Sequence, residues 1–160
     1  MDKCLTRTTE LYSTIHELPV TVIADHNGGL LGPSKLEGDV KQDPTGQPGF
    51  SALIRLAKDA KVLIKISGLY RSSVETATNF ADMGFIIREL ASQVPDSLIW
   101  GSDWPHTGEG KDRLSQKDLS VLEPFRTIDN AALLAHIREW VGTEENWNKM
   151  LVSNPQRAFA

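Results

Sequence analysis

Residues 98–106 read Leu-Ile-Trp-Gly-Ser-Asp-Trp-Pro-His, and they decide the fold. Leu98-Ile99-Trp100 is an uninterrupted apolar run that opens after the helix-breaking Pro95-Asp96-Ser97 and stops at Gly101. A strand buried on both faces carries such a run, because neither face meets water. Asp103 and His106 lie just past its carboxyl end. In parallel α/β architectures that end is where functional groups collect.

Two more apolar runs upstream repeat the pattern. Val20-Thr21-Val22-Ile23-Ala24 is rich in β-branched residues and enters the polar turn Asp25-His26-Asn27-Gly28-Gly29. Lys61–Ser67, KVLIKIS, leads into Gly68-Leu69-Tyr70-Arg71-Ser72-Ser73. Helical spacing predicts helices over 6–18, 50–60, 74–92 and 129–141, the last capped by Asp129. Pro19 ends the first. Thr143 offers a capped start for a final helix, which Asn154-Pro155 interrupts or restarts. Residues 30–49, rich in glycine and proline, and 107–128 read as loops. The order α, β, α, β, α, β, α, α predicts an α/β fold with about three parallel strands joined by right-handed crossovers and flanked by helices. Trp100, Trp140 and Trp147 are expected in the core.

Composition narrows the partners. The chain has 160 residues, 40% hydrophobic and 24% charged, as ordinary globular proteins do. A net charge of −4 argues against nucleic acid, whose phosphates call for a basic face. No apolar run is long enough to cross a bilayer, and residues 1–12 lack the apolar middle of a secretory signal. The expectation is a cytoplasmic protein with neither a membrane nor a nucleic acid as partner. Cys4, the one cysteine, reads as a spectator thiol.

The three strand exits supply Asp25 and His26, then Ser67 with Tyr70 and Arg71, then Asp103 and His106. A carboxylate can serve as general base or metal ligand, a histidine can carry a proton near neutral pH, and an arginine can clamp a carboxylate through two parallel hydrogen bonds. Each residue also has a plain reading. Asp103 could cap the turn that follows it, His26 could bond only to the glycine turn, Arg71 could be a solvated charge, and Asp25 could anchor a nearby Lys or Arg. His16 and His136, on helices, are read as structural or exposed. Gly28-Gly29 forms no phosphate-binding fingerprint.

Together these exits resemble the amidohydrolase-related family of TIM-barrel hydrolases, in particular its 2-pyrone-4,6-dicarboxylate lactonase-like members. LPVTVIADHNGG is similar to the family's sixth barrel strand, VLIKISGLYRSS to the seventh, LIWGSDWPHT to the eighth, and NWNKMLVSNPQRAF to the closing helix. On this resemblance residues 1–160 are a partial amidohydrolase-related domain, the C-terminal portion of a (β/α)8 TIM barrel. It implies hydrolysis of a cyclic ester (lactone) or amide of a small anionic substrate. Asp103 would activate water, His26 would assist, and Arg71, Tyr70 and His106 would bind substrate. The family's first-strand His-x-His occurs nowhere in the sequence. The resemblance therefore implies either no cofactor or one divalent metal (zinc or manganese), with Asp103 as the ligand if one is used. The alternative is a truncated, catalytically inactive fragment or a small-anion binding protein. Three parallel strands leave two unpaired edges, which predicts self-association, pairing with a missing N-terminal half, or marginal stability.

Overall fold

The computed structural model describes residues 12–108, 120 and 122–160. Three strands, β1 (Val22–Ala24), β2 (Val62–Ile66) and β3 (Leu98–Trp100), form one sheet in the order β1-β2-β3. Both pairs are parallel, with Val22 opposite Val62 and Ile64 opposite Leu98. β1 is shorter than the run 20–24. Val20 is 61% exposed, although Val22 N–H still donates to Lys61 O at 2.9 Å.

Alternation along the strands sorts the two faces. Val62, Ile64, Ile66 and Leu98 join the helix-covered core, with Val22, Ala24 and Trp100 packed at its margin. Ile23 and Leu63 face the other way and line a cavity of about 350 Å³ together with Thr21 and Phe159. Lys65 lies on that face too, so the sheet is apolar on its helix side and mixed on the other.

Four helices supply most of the cover: α1 (Tyr12–Glu17), α2 (Phe50–Lys58), α3 (Met83–Gln93) and α4 (Asn130–Val141). The apolar stripe of α2, Phe50, Leu53, Ile54, Leu56 and Ala57, is buried, as are Ile86, Ile87 and Leu90 of α3. Gly84 lets α4 approach α3 closely, since a Cβ there would stand 2.8 Å from Trp140 Nε1. Trp140 is buried, and Trp100 and Trp147 are partly buried against the core. His16 is exposed beside Asp59, and His136 packs on the Trp140 ring. Asp129 caps α4 as expected, accepting from Ala132 N–H at 2.9 Å. Short α5 (Glu144–Asn148) runs through a π-helical turn, Lys149–Ser153, into α6 (Asn154–Phe159) without a break. Buried Asn154 donates to Pro95 O and Leu98 O at 2.9 and 2.7 Å and ties α6 to the start of β3.

The expected helix over 74–92 is corrected: α3 starts only at Met83. Before it come a 3₁₀ turn, Thr76–Thr78, and two left-handed residues, Asn79 and Phe80, at φ 55 and 63°. Left-handed angles end a right-handed helix. Ser73 holds the segment in this path by bonding Asp82, Ser34 and the Glu75 N–H. The expected helix at 6–11, the reading of Cys4 and the loop residues 109–119 and 121 lie outside the described residues.

Candidate active site

All three strands end in backbone that bends the same way. His26, Gly68 and Asp103 adopt φ of 50, 55 and 63°. Left-handed angles cost a non-glycine residue about 1–2 kcal/mol, and such strain persists where the surroundings enforce it. Here it turns all three exits toward one another.

Asp103 is the hub, with its side chain 15% exposed. Its Oδ2 accepts from Tyr70 OH at 2.6 Å and from Arg71 Nε at 2.8 Å. Both donors ride on the single turn Leu69–Ser72 that follows β2. Arg71 Nη2 also donates to Thr107 O and Oγ1 at 3.3 and 3.2 Å, which fixes the guanidinium plane. Partial burial alone would raise the Asp103 pKa. The hydrogen bonds from Tyr70 and Arg71, with the charges of Arg71 and His26, outweigh burial and hold it below the usual carboxylate range. Burial and the bond to Asp103 push the Tyr70 phenol up to about 12, so it stays a donor at any working pH.

His26 approaches from β1. Its Nδ1 is 3.9 Å from Asp103 Oδ2 and 3.6 Å from Asp25 Oδ1, buried, and makes no hydrogen bond. Backbone and neighbours hold this ring. Asp25 accepts from His26 N–H at 2.8 Å and Ser67 Oγ at 2.7 Å, and pairs with Lys65 Nζ at 3.0 Å. Asn27, fully buried, donates to Ser67 O at 3.3 Å and Ser72 Oγ at 3.1 Å. Those bonds stitch the β1 exit to the β2 exit. Asp25 is thus an anchor. Burial opposes its ionisation, but Ser67, Lys65 and the His26 N–H lower its pKa.

The structure brings His26, Tyr70, Arg71 and Asp103 together. His106 stands behind them, 6% exposed, edge-on to the Tyr70 ring at 5.8 Å and with Nε2 3.1 Å from Asn130 Nδ2. Sequence reasoning passed over Asn27, Lys65 and Gly68. Lys65 carried a readable signal, since a lone charge in an apolar strand needs a partner and the period of two puts Asp25 on its face.

The described donors do not fit a divalent cation. Among the described residues no group of three His, Cys, Asp or Glu side chains is placed to hold a metal ion, whereas zinc sites use at least three protein ligands. Asp103 Oδ2 is already engaged by a phenol and a guanidinium, and the latter repels a second cation. What the arrangement offers is an ionised carboxylate beside a histidine, with an arginine and a phenol holding the carboxylate still.

The Amidohydrolase family model matches residues 6–160. The D-galactarolactone isomerase of Agrobacterium fabrum is 26% identical over 86% of this chain and 39% of its own length. The 2-pyrone-4,6-dicarboxylate hydrolase of Comamonas testosteroni is 27% identical over 94% of this chain and 44% of its own. A solved structure from Pseudomonas putida, 21% identical, superposes with a TM-score of 0.65 over 98% of this chain and 48% of its own. The chain spans about two fifths to a half of the length of these relatives. The fold they share with it is part of a TIM barrel, to which the three parallel strands and their helices correspond.

Proposed function

The chain belongs to the amidohydrolase family, and from that premise we propose that it serves hydrolysis of a lactone, or a related cyclic amide, carried by a small anionic substrate. The observation behind this reading is the convergence on Asp103: Tyr70 OH at 2.6 Å, Arg71 Nε at 2.8 Å and His26 Nδ1 at 3.9 Å. The relative named as a 2-pyrone-4,6-dicarboxylate hydrolase supports the class of reaction, and the relative named as a D-galactarolactone isomerase supports only a lactone as the class of substrate.

Asp103, ionised at neutral pH, takes a proton from a water molecule as that oxygen adds to the ring carbonyl carbon. The ring C–O bond then breaks, the carbonyl re-forms as an acid, and the departing ring oxygen takes up a proton. His26 stands where it can donate to the carbonyl oxygen as charge builds there, or pass a proton to the leaving oxygen. Arg71 and Tyr70 keep the carboxylate aimed. Arg71 reaches an anionic group of the substrate with whatever donors Asp103 and Thr107 leave. His106 supports Tyr70 from behind. Lowering the Asp103 pKa guarantees its ionised form but weakens it as a base, so the rate rests on placing the water well.

The test is turnover of 2-pyrone-4,6-dicarboxylate by the purified chain and by Asp103→Asn. Turnover that disappears in the variant supports the reading, and equal rates sink it. A second reading, an anion-binding protein without turnover, draws on the same Arg71–Asp103 pair, which leaves the base weak. Dicarboxylate binding that Arg71→Ala weakens, with no product formed, would favour it.

A further inference from the structure

Gly68 sits between the two groups proposed to do the chemistry. A Cβ on its backbone would stand 2.7 Å from Asp103 Oδ2, 2.9 Å from His26 Nδ1 and 3.2 Å from Asp103 Cγ. All three distances fall short of the 3.4 Å at which ordinary contact begins. Asp103 Oδ2 is held by Tyr70 and Arg71 and cannot easily yield, whereas the His26 ring, whose backbone is bonded to Asp25 but whose Nδ1 is unbonded, would have to turn away from Asp103. Gly68 also opens the turn that carries Tyr70 and Arg71, with its carbonyl accepting Arg71 N–H at 2.8 Å. The 3.9 Å between His26 Nδ1 and Asp103 Oδ2 is too long for a hydrogen bond, yet both atoms can reach one small group placed beside them.

We propose that Gly68 is a positioning residue: its missing side chain is the space that lets the Asp103 carboxylate and the His26 imidazole face the same reacting group. The consequence for turnover rests on the hydrolase reading, whereas the geometric part stands without it. Backbone strain is the competing explanation, and the molecule contains its own control. Gly38 has φ of 62°, close to the 55° of Gly68, but a Cβ there would meet nothing within 4 Å. Gly38→Ala therefore measures strain alone, and Gly68→Ala measures strain plus the wedge.

The experiment compares the two variants by crystal structure, thermal melt and kinetics. In Gly68→Ala the His26–Asp103 separation is expected to lengthen beyond the parental 3.9 Å, with no such change in Gly38→Ala. An unchanged separation in a folded Gly68→Ala overturns the proposal. If the parent chain hydrolyses 2-pyrone-4,6-dicarboxylate, kcat of Gly68→Ala should fall roughly 100-fold while KM holds. A kcat equal to that of Gly38→Ala also overturns it. A parent without turnover removes the hydrolase reading and leaves the crystallographic arm to decide. Should Gly68→Ala fail to fold, the same change in a His26→Ala, Asp103→Ala background is decisive. Removing both side chains the methyl would strike should restore a cooperative melt, and a melt that Gly68→Ala abolishes in that background as well would assign the cost to backbone strain and end the proposal.

Discussion

At the β2 and β3 exits side chains hold one another, and at the β1 exit backbone holds a side chain. Tyr70, Arg71 and Asp103 form bonds of 2.6–2.8 Å that involve a full charge on one or both partners. The His26 ring has no such partner, and its Nδ1 lies 3.6 and 3.9 Å from two carboxylates. Its place is fixed one step removed, by Asn27, Asp25 and the left-handed turn. A group that must stay ionised and aimed gains from a rigid charged cradle. On the proposed chemistry His26 gains and loses a proton, for which a fixed position with a ring nitrogen left unbonded is suited.

Asp103→Asn strikes this contrast hardest. On the proposed chemistry it removes the base while keeping shape, and turnover should fall by roughly 10²–10⁴. Substrate affinity measured by calorimetry should change far less. Affinity lost in step with rate would mean that Asp103 binds and does not activate.

Asn27→Leu tests the backbone-held side. It removes two hydrogen bonds from a fully buried amide and leaves the Ser67 carbonyl short of a donor. The expected cost is about 2–3 kcal/mol, with Tm falling about 2–4 °C for each kcal/mol. A neutral outcome would mean that the β1 turn holds itself.

The sequence disclosed the strands and their exits because each strand is an apolar run, although Ile23 in β1 is 41% exposed, and it disclosed His26, Tyr70, Arg71 and Asp103 because each lies just past such a run. It disclosed α4 because Asp129 is a strong cap. It misplaced the start of α3, where Thr76–Phe80 is governed by bonds from Ser73 to residues far along the chain, which no local pattern reports. Gly68 was invisible for a related reason. Its role depends on what lies across the gap, and a glycine after a strand has many ordinary explanations.

Tyr70→Phe tests the charged cradle at lower cost. It deletes one of two donors to Asp103 Oδ2, and with Arg71 still in place the expected loss is about 1.5 kcal/mol at neutral pH. The pH dependence has a definite sign. The Asp103 pKa is lower folded than unfolded, so its contribution is present above the ordinary carboxylate value of about 3.9 and is lost as pH falls through the depressed folded value. Removing the phenol raises the folded value toward the unfolded one. The parent and Tyr70→Phe should therefore differ in Tm at pH 7 and converge as the solution is acidified. Tm curves that stay parallel until both proteins are acid-unfolded would mean that the bond does not favour the carboxylate over the acid.

Lys65→Met carries the smallest expected effect and bears directly on the contrast. The Lys65–Asp25 pair spans 3.0 Å, but its side chains are 30% and 44% exposed, so solvent screens it. Pairs of that kind contribute about 0–1 kcal/mol. Methionine keeps the aliphatic stem on the sheet face away from the helices, where Gly101 leaves room for it, with a Cβ there 3.3 Å from Lys65 Cδ. Asp25 retains Ser67 and the His26 N–H, so the turn should survive and Tm should drop by no more than about 4 °C. A larger drop, together with a displaced His26, would show that the β1 exit also depends on charge, and the division between a charged cradle and a backbone mount would no longer hold.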